Sequence, residues 1–306
     1  MQNFLTVGQQ VLILFILILA GYVLGKKKII GDEAGKALSN IALLLSTPCV
    51  IILSFEREFT PDVFRDFGIA MVAALGVHVI AIGIAQLLYR KGGSRERVLR
   101  AAAVLSNAGF MGLPLQQAVL GDQGVFYGAA YVTVFTLTLW SYGLATMDTE
   151  SRRLSAKKLL VNPGMIGLAL GIVVLLLPFD LPELIRAPIS HLAALNTPVP
   201  MLFIGYSLSK VPLGKALRNG SYYAACAVRL LLVPVVAIGV LYACGVRGTL
   251  LCSMMIAGSA PIAAAVSMFA EKFNQDTETS VNLVALSTVF SVITMPVLVA
   301  LVQALP

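Results

Sequence analysis

Apolar residues run through this chain in long continuous blocks and do not alternate with polar ones. Alternation would mark the strands of a membrane barrel, so helices are predicted. The blocks predict ten membrane-spanning helices, at residues 5–25, 37–55, 67–89, 100–120, 124–146, 162–178, 189–208, 220–243, 249–270 and 280–303. Each approaches the ~20 residues that cross a bilayer core. Two of them are interrupted. The fourth carries Ser106, Asn107, Gly109, Gly112 and Pro114, and the ninth carries Gly258, Ser259 and Pro261. Proline removes a backbone donor and crowds the turn before it. Freed backbone groups at membrane depth are tolerated only where protein or a water-filled cavity surrounds them. Broken spans at matching places in two halves point to a transporter's binding site.

The loops fix the orientation. Those after spans one, three, five, seven and nine hold Lys26, Lys27, Lys28 and Lys36; Arg90, Lys91, Arg95, Arg97 and Arg100; Arg152, Arg153, Lys157 and Lys158; Lys210, Lys215 and Arg218; and Lys272. The other basic residues are Arg57, Arg65, Arg186 and Arg247, with Arg229 inside a span. By the positive-inside rule the basic loops are cytoplasmic, which puts both termini outside. The first apolar block has no basic residue before it, as a cleaved signal would, and reads as a retained helix.

The halves repeat. Thr47-Pro48 recurs as Thr197-Pro198, 150 positions on, and an offset of 147 takes Arg100 to Arg247, Ser106 to Ser253 and Pro114 to Pro261. Five spans per half is an odd number, so the second half runs inverted. The expected fold is an all-α membrane protein of ten transmembrane helices. Residues 1–146 form one five-helix repeat, 147–160 a cytoplasmic linker and 161–306 the second, inverted repeat, with broken helices four and nine crossing.

Composition agrees. The chain is 58% hydrophobic and 12% charged, against about 25% charged in soluble domains. The net charge of +7 sits in short loops, which argues for topology and against nucleic acid. Four cysteines, Cys49, Cys226, Cys244 and Cys252, lie in or beside apolar runs without paired spacing. They suggest neither disulfides nor a zinc site. No metal or cofactor is expected.

Candidate chemistry gathers at the breaks. Pro114 and Pro261 are expected to start the second half of each span, since proline suits the first turn of a helix. A helix N-terminus carries roughly +0.5 charge and free N–H groups. Two of them meeting near the midplane make an anion site without a cationic side chain. Ser106, Asn107 and Ser259 add polar groups. Gly109, Gln116 and Thr47 complete the expected substrate-binding set. A plain proline kink is the alternative.

Two ionisable residues lie within spans, His78 and Arg229, 151 positions apart. A charge inside a membrane is a functional hypothesis by default. Arg229 either binds substrate or braces free carbonyls of the broken helices, with bracing favoured. His78 is read as a packed core residue, with a proton relay as the alternative. No Asp or Glu lies in the middle of a span. That weakens cation coupling, although backbone carbonyls of broken helices can bind sodium. The chain has no Gly-rich phosphate loop and no nucleophile with a base nearby, so an enzyme is not expected.

At these residues the chain resembles the auxin efflux carrier family. Ser106 to Leu115 looks like the family's N-x-x-x-M-G-x-P-L element, and Asn162-Pro163 resembles its N-P start of span six. Val228-Arg229-Leu230 with Pro234, Gly245-Val246-Arg247-Gly248, Pro261 with Phe269 to Asn274, and Pro296 resemble further family pieces. The resemblance implies a scaffold of helices 1, 2, 6 and 7 and a mobile transport bundle of helices 3–5 and 8–10. It also implies a homodimer, elevator movement, and carboxylate substrates such as auxin-like acids, malate or malonate, contacted by Asn107. The long central loop of plant carriers is missing, and His78 stands where they have an acidic and basic pair. The expected protein is an organic anion carrier of a bacterial cytoplasmic membrane. The rivals are a sodium- or proton-coupled symporter of the bile-acid type and a gated channel or receptor-like membrane protein.

Overall fold

The computed structural model describes residues 2–56, 60–148, 163–177, 181–211 and 219–305. Arg57, Asn162, Lys215, Arg218 and most of the expected 147–160 linker lie outside them. Among the described residues all regular structure is helical, and the one β-type pairing is an isolated antiparallel bridge between Ser106 and Ile262.

The first half contains α1 (Gln2–Lys26), α2 (Asp32–Ile41), α3 (Thr47–Ser54), α4 (Pro61–Leu88), α5 (Ser94–Val104), α6 (Leu113–Thr138) and α7 (Leu144–Met147). The second contains α8 (Pro163–Leu175), α9 (Glu183–Ala194), α10 (Pro198–Ser209), α11 (Gly220–Ala227), α12 (Val233–Ala243), α13 (Gly248–Ser259), α14 (Ala265–Lys272) and α15 (Thr277–Gln303). Among the described residues four π-helical turns lead directly into α3, α6, α7 and α12: Ala42–Ser46, Ala108–Gly112, Leu139–Gly143 and Val228–Leu232.

Seven helical stretches among the described residues are long and apolar enough to cross a membrane. One of them, Ala108–Met147, is 40 residues long. A straight helix of that length would be about 60 Å, twice a bilayer core. It bends at Gly121, whose φ of 64° and ψ of −155° are not helical. Several helices begin before the expected apolar spans, at Asp32, Pro61 and Glu183. Their first turns are acidic, with Asp32 and Glu33, Asp62, and Glu183. Thr60 caps α4 by accepting a hydrogen bond from Val63 N–H at 3.3 Å, and Pro61 pre-sets its first turn.

The π-helical turns have a local cause in three of four cases. Pro48, Pro114 and Pro234 each follow such a turn, in the first two positions of α3, α6 and α12. A proline ring collides with the carbonyl four residues earlier, here that of Leu44, Phe110 or Leu230. Widening the preceding turn relieves the collision without ending the helix. Pro114 therefore does not start a half-helix as expected. The chain is already helical from Ala108.

Glycines set the closest helix contacts. α1 lies along α10, and α3 along α8. A Cβ at Gly21 would run into Leu202 O, and one at Gly205 into Ile18 O. A Cβ at Gly167 would sit 2.8 Å from Pro48 Cα, and one at Gly171 2.9 Å from the Phe55 ring. In lipid such close backbone approach, not the hydrophobic effect, holds helices together.

Candidate functional site

Two extended segments interrupt the helices, at 105–107 after α5 and at 261–263 after α13. They pair antiparallel. Asn107 N–H donates to Pro261 O at 2.7 Å, and Ala263 N–H donates to Leu105 O at 2.9 Å. Ile262 N–H donates to Ser287 Oγ at 3.1 Å. Most of the backbone freed by the breaks thus finds partners inside the protein, as membrane depth requires.

A helix restarts within one or two residues of each paired bond. Met111 N–H is the first to close onto the new helix, donating to Asn107 O at 3.0 Å, so Ala108, Gly109 and Phe110 N–H precede the ladder. On the other side Val266 N–H donates to Ala263 O at 3.0 Å, leaving Ala264 and Ala265 N–H ahead of it. Pro261 is thus part of the extended crossing and not, as expected, the first turn of α14. Two helix N-termini converge here, each with partial positive charge.

The other two ends are helix C-termini, where carbonyls lack partners. Arg229 serves both. It is 1% exposed. Its Nε donates to Ala260 O at 3.2 Å, Nη1 to Ala103 O at 3.1 Å and Nη2 to Gly258 O. The π-helical turn before Pro234 carries this side chain. One guanidinium so neutralises the negative ends of α5 and α13 together.

The expected site residues divide sharply. Asn107 is half-buried, and its side-chain amide makes no hydrogen bond among the described residues. Gly109 is half-buried, with open space where a Cβ would stand. Asn107 is the N-cap residue of the first restarted helix, and Gly109 lies in its first turn. Ser106 is fully buried and donates to Tyr131 Oη at 3.3 Å. Ser259 is fully buried and turns back to Ile256 O at 3.4 Å. Pro114 and Pro261 are buried. Gln116 is fully buried and donates to Ser253 O and Ser253 Oγ, both at 2.9 Å, tying α6 to α13. Thr47 donates to Asn196 Oδ1 at 3.0 Å, joining the two Thr-Pro kinks. His78 Nδ1 lies 2.8 Å from Ala74 O of its own helix, its ring packs 4.8 Å from Tyr131, and Nε2 has no partner.

Sequence reasoning missed Tyr131 and Ser287, which anchor the two extended segments. Each is one polar group in an apolar run, a weak signal. Two clefts, of 410 and 310 Å³, line other parts of the molecule and include no residue of 105–107 or 261–263.

Residues 6–299 match the family described as membrane transport protein. An uncharacterized transporter of Methanothermobacter thermautotrophicus is 25% identical over 94% of this chain and 96% of its own length. The uncharacterized transporter MJ1031 of Methanocaldococcus jannaschii is 23% identical over 92% and 94%. The uncharacterized transporter YfdV of Escherichia coli is 20% identical over 92% and 93%. The broken, paired helices and this near full-length match agree: the chain belongs to the membrane transport protein family, the auxin efflux carrier family whose motifs it carries.

Proposed function

We propose that this membrane transporter is a secondary carrier for a small organic carboxylate, which it imports or exports by elevator movement as a homodimer. The observation that carries the reading is the convergence of two helix N-termini beside the free amide of Asn107. Such a site binds an anion without a desolvated cationic side chain. Arg229, the cation nearest the crossing, is engaged with carbonyls and is not offered to substrate.

In this reading the chain makes ten passes in two inverted repeats, 1–146 and 161–306. The Gly121 bend supports it by dividing the 40-residue stretch into passes four and five. Helix packing supports it too. The offset of 150 takes Gly21 to Gly171 and Phe55 to Gly205, so it exchanges the α1/α10 contact with the α3/α8 contact. Those helices are the scaffold and dimer surface. The remainder, with the crossing, is the moving bundle.

The sodium-coupled alternative meets a specific obstacle. Carbonyls at the breaks are the natural sodium ligands in a site without carboxylates. Here Ala103, Gly258 and Ala260 carbonyls accept from Arg229.

The test is a thermal-shift screen of mono- and dicarboxylates on purified protein, followed by counterflow in proteoliposomes. A ligand at 100 times its Kd stabilises by about 2.7 kcal/mol. Saturable counterflow, unchanged when potassium replaces sodium, is the expected result. No stabilising carboxylate and no counterflow would reject the carrier. Sodium-dependent counterflow would favour the symporter. Full activity after cross-linking the crossing to α10 would remove the elevator.

A further inference from the structure

The larger cleft, of 410 Å³, is lined by no residue of 105–107 or 261–263. The end of α4 gives it Gln86, α5 gives Arg97 and Arg100, and the chain around α7 gives Tyr142, Thr146 and Asp148. Two guanidiniums and one carboxylate line it, so the lining is net positive.

Two of the side-chain contacts in this cleft are long. Arg100 Nη1 reaches Gln86 Oε1 at 3.5 Å, and Gln86 Nε2 reaches Tyr142 Oη at 3.3 Å. Good bonds of this kind are nearer 2.9 Å. Arg100 Nε is buried and has no partner among the described residues. A buried donor left unsatisfied is costly. A ligand oxygen supplied from the cleft would remove that cost and shorten the chain of contacts around it.

We infer that this cleft is a second anion site, and that it takes a phosphoryl group. Donors converge from three elements: two guanidinium forks, an amide and two hydroxyls. A carboxylate offers only two oxygens to such a set, whereas a phosphate monoester offers three. Guanidinium forks match phosphate geometry in bidentate fashion. The volume exceeds that of a bare anion and lies in the range of small-molecule sites, which leaves room for an esterified group. That group belongs either to a soluble phosphate ester or to the headgroup of an anionic lipid, which basic pockets between membrane helices also hold.

The cleft backs onto the crossing. Arg100 precedes Leu105 by five residues, about 7.5 Å along a helix. Gly143, next to Tyr142, is so close to Leu105 that a Cβ there would lie 3.3 Å from Leu105 Cδ1. Leu105 O in turn accepts from Ala263 N–H. A ligand in the cleft is therefore positioned to stiffen the crossing, whatever the transported substrate is.

The experiment uses full-length protein in neutral detergent. Thermal unfolding is followed with inorganic phosphate, glycerol phosphate, dioctanoyl phosphatidylglycerol and dioctanoyl phosphatidylcholine. Saturable stabilisation is expected from at least one of the first three. Arg100→Gln should weaken it by roughly 10- to 100-fold, the effect of losing a charge-assisted bond. Arg97→Gln, which removes no buried unpartnered donor, should weaken it less and serves if the first variant folds poorly. Lys91→Gln should bind as the parent does. Stabilisation by phosphate or glycerol phosphate assigns a soluble ester, and stabilisation by phosphatidylglycerol alone assigns a lipid headgroup. Three results would overturn the inference: no stabilisation by any anion, equal stabilisation by phosphatidylcholine, or a loss in Lys91→Gln as large as in the arginine variants.

Discussion

The two breaks share a backbone plan and differ in side chains. Both are extended for about three residues, both pair with each other, and both restart a helix at once. The first, however, leaves Asn107 and Gly109 half-buried, with a free amide and open space. The second buries Ser259, Ala260, Pro261 and Ile262 and follows them with a run of alanines. Crossing makes the breaks equivalent in hydrogen bonding and charge. It does not require them to be equivalent in recognition. In the proposed reading the first break offers the ligand a side chain, and the second offers backbone N–H groups alone.

The most damaging change acts on what the breaks have in common. Arg229 holds Ala103 O of the first break and Gly258 O and Ala260 O of the second. Arg229→Ala leaves three buried carbonyls without these donors, each costing about 1–3 kcal/mol. The sum is comparable with a typical total stability of 5–15 kcal/mol. Little folded protein is expected on size-exclusion chromatography. Arg229→Lys should recover only part, because one ammonium cannot span the positions a planar fork reaches. An Arg229→Ala protein with the parent's melting temperature would show that the breaks hold together without it.

Asn107 comes next and separates the breaks. Losing one hydrogen bond to a charged ligand costs ~1.5–3 kcal/mol, roughly a 10- to 150-fold loss of affinity. Asn107→Ala should lose that much carboxylate affinity in a titration with a hit from the screen, and keep the parent's melting temperature. Asn107→Asp should bind worse still, since it sets a negative charge against the anion. If both variants bind like the parent, the two breaks do not differ in recognition.

How much of this was legible in the sequence follows from how loud each residue is against an apolar background. Asn, Gly and Pro inside a long hydrophobic run are loud, so both broken spans could be read. A lone arginine in a span must find acceptors, and broken helices have spare carbonyls, so bracing could be read as well. The restart point could not. Pro114 looked like the first turn of a helix, whereas a widened turn lets the helix begin at Ala108 and pass over it. Ser106, Ser259 and Gln116 could not be sorted either. Small polar residues in an apolar run satisfy themselves locally or reach across to another helix, and only tertiary geometry decides which.

Gln116 tests the surroundings of the comparison. Its amide joins the restarted helix of the first break to Ser253, two turns before the second. Gln116→Met keeps the volume and removes both bonds. Expected is a loss of about 1–2 kcal/mol in stability, seen as a lower melting temperature, with carboxylate affinity unchanged within error. A change in affinity without a change in melting would place Gln116 on the ligand's side of the crossing.

The smallest effect is expected from the serines, and it is the most discriminating. Ser106 lies within the first extended segment and Ser259 two residues before the second, and both are fully buried. Ser259 Oγ reaches only Ile256 O in its own helix, at 3.4 Å. Replacing such a hydroxyl by a methyl group of nearly the same shape loses a weak bond and leaves a carbonyl that can still take an intrahelical partner. Ser259→Ala should therefore fall within about 0.5 kcal/mol of the parent in stability, and its ligand affinity should match. Ser106 Oγ instead donates to Tyr131 Oη at 3.3 Å, and the Tyr131 ring packs against His78. Ser106→Ala leaves a buried phenol without that donor and should cost about 1 kcal/mol or slightly more. Paired melting curves of the two variants decide the matter. Equal and measurable losses would make the second break as polar in its energetics as the first. A loss of ligand affinity in Ser259→Ala would return that serine to the binding site and cancel the asymmetry between the breaks.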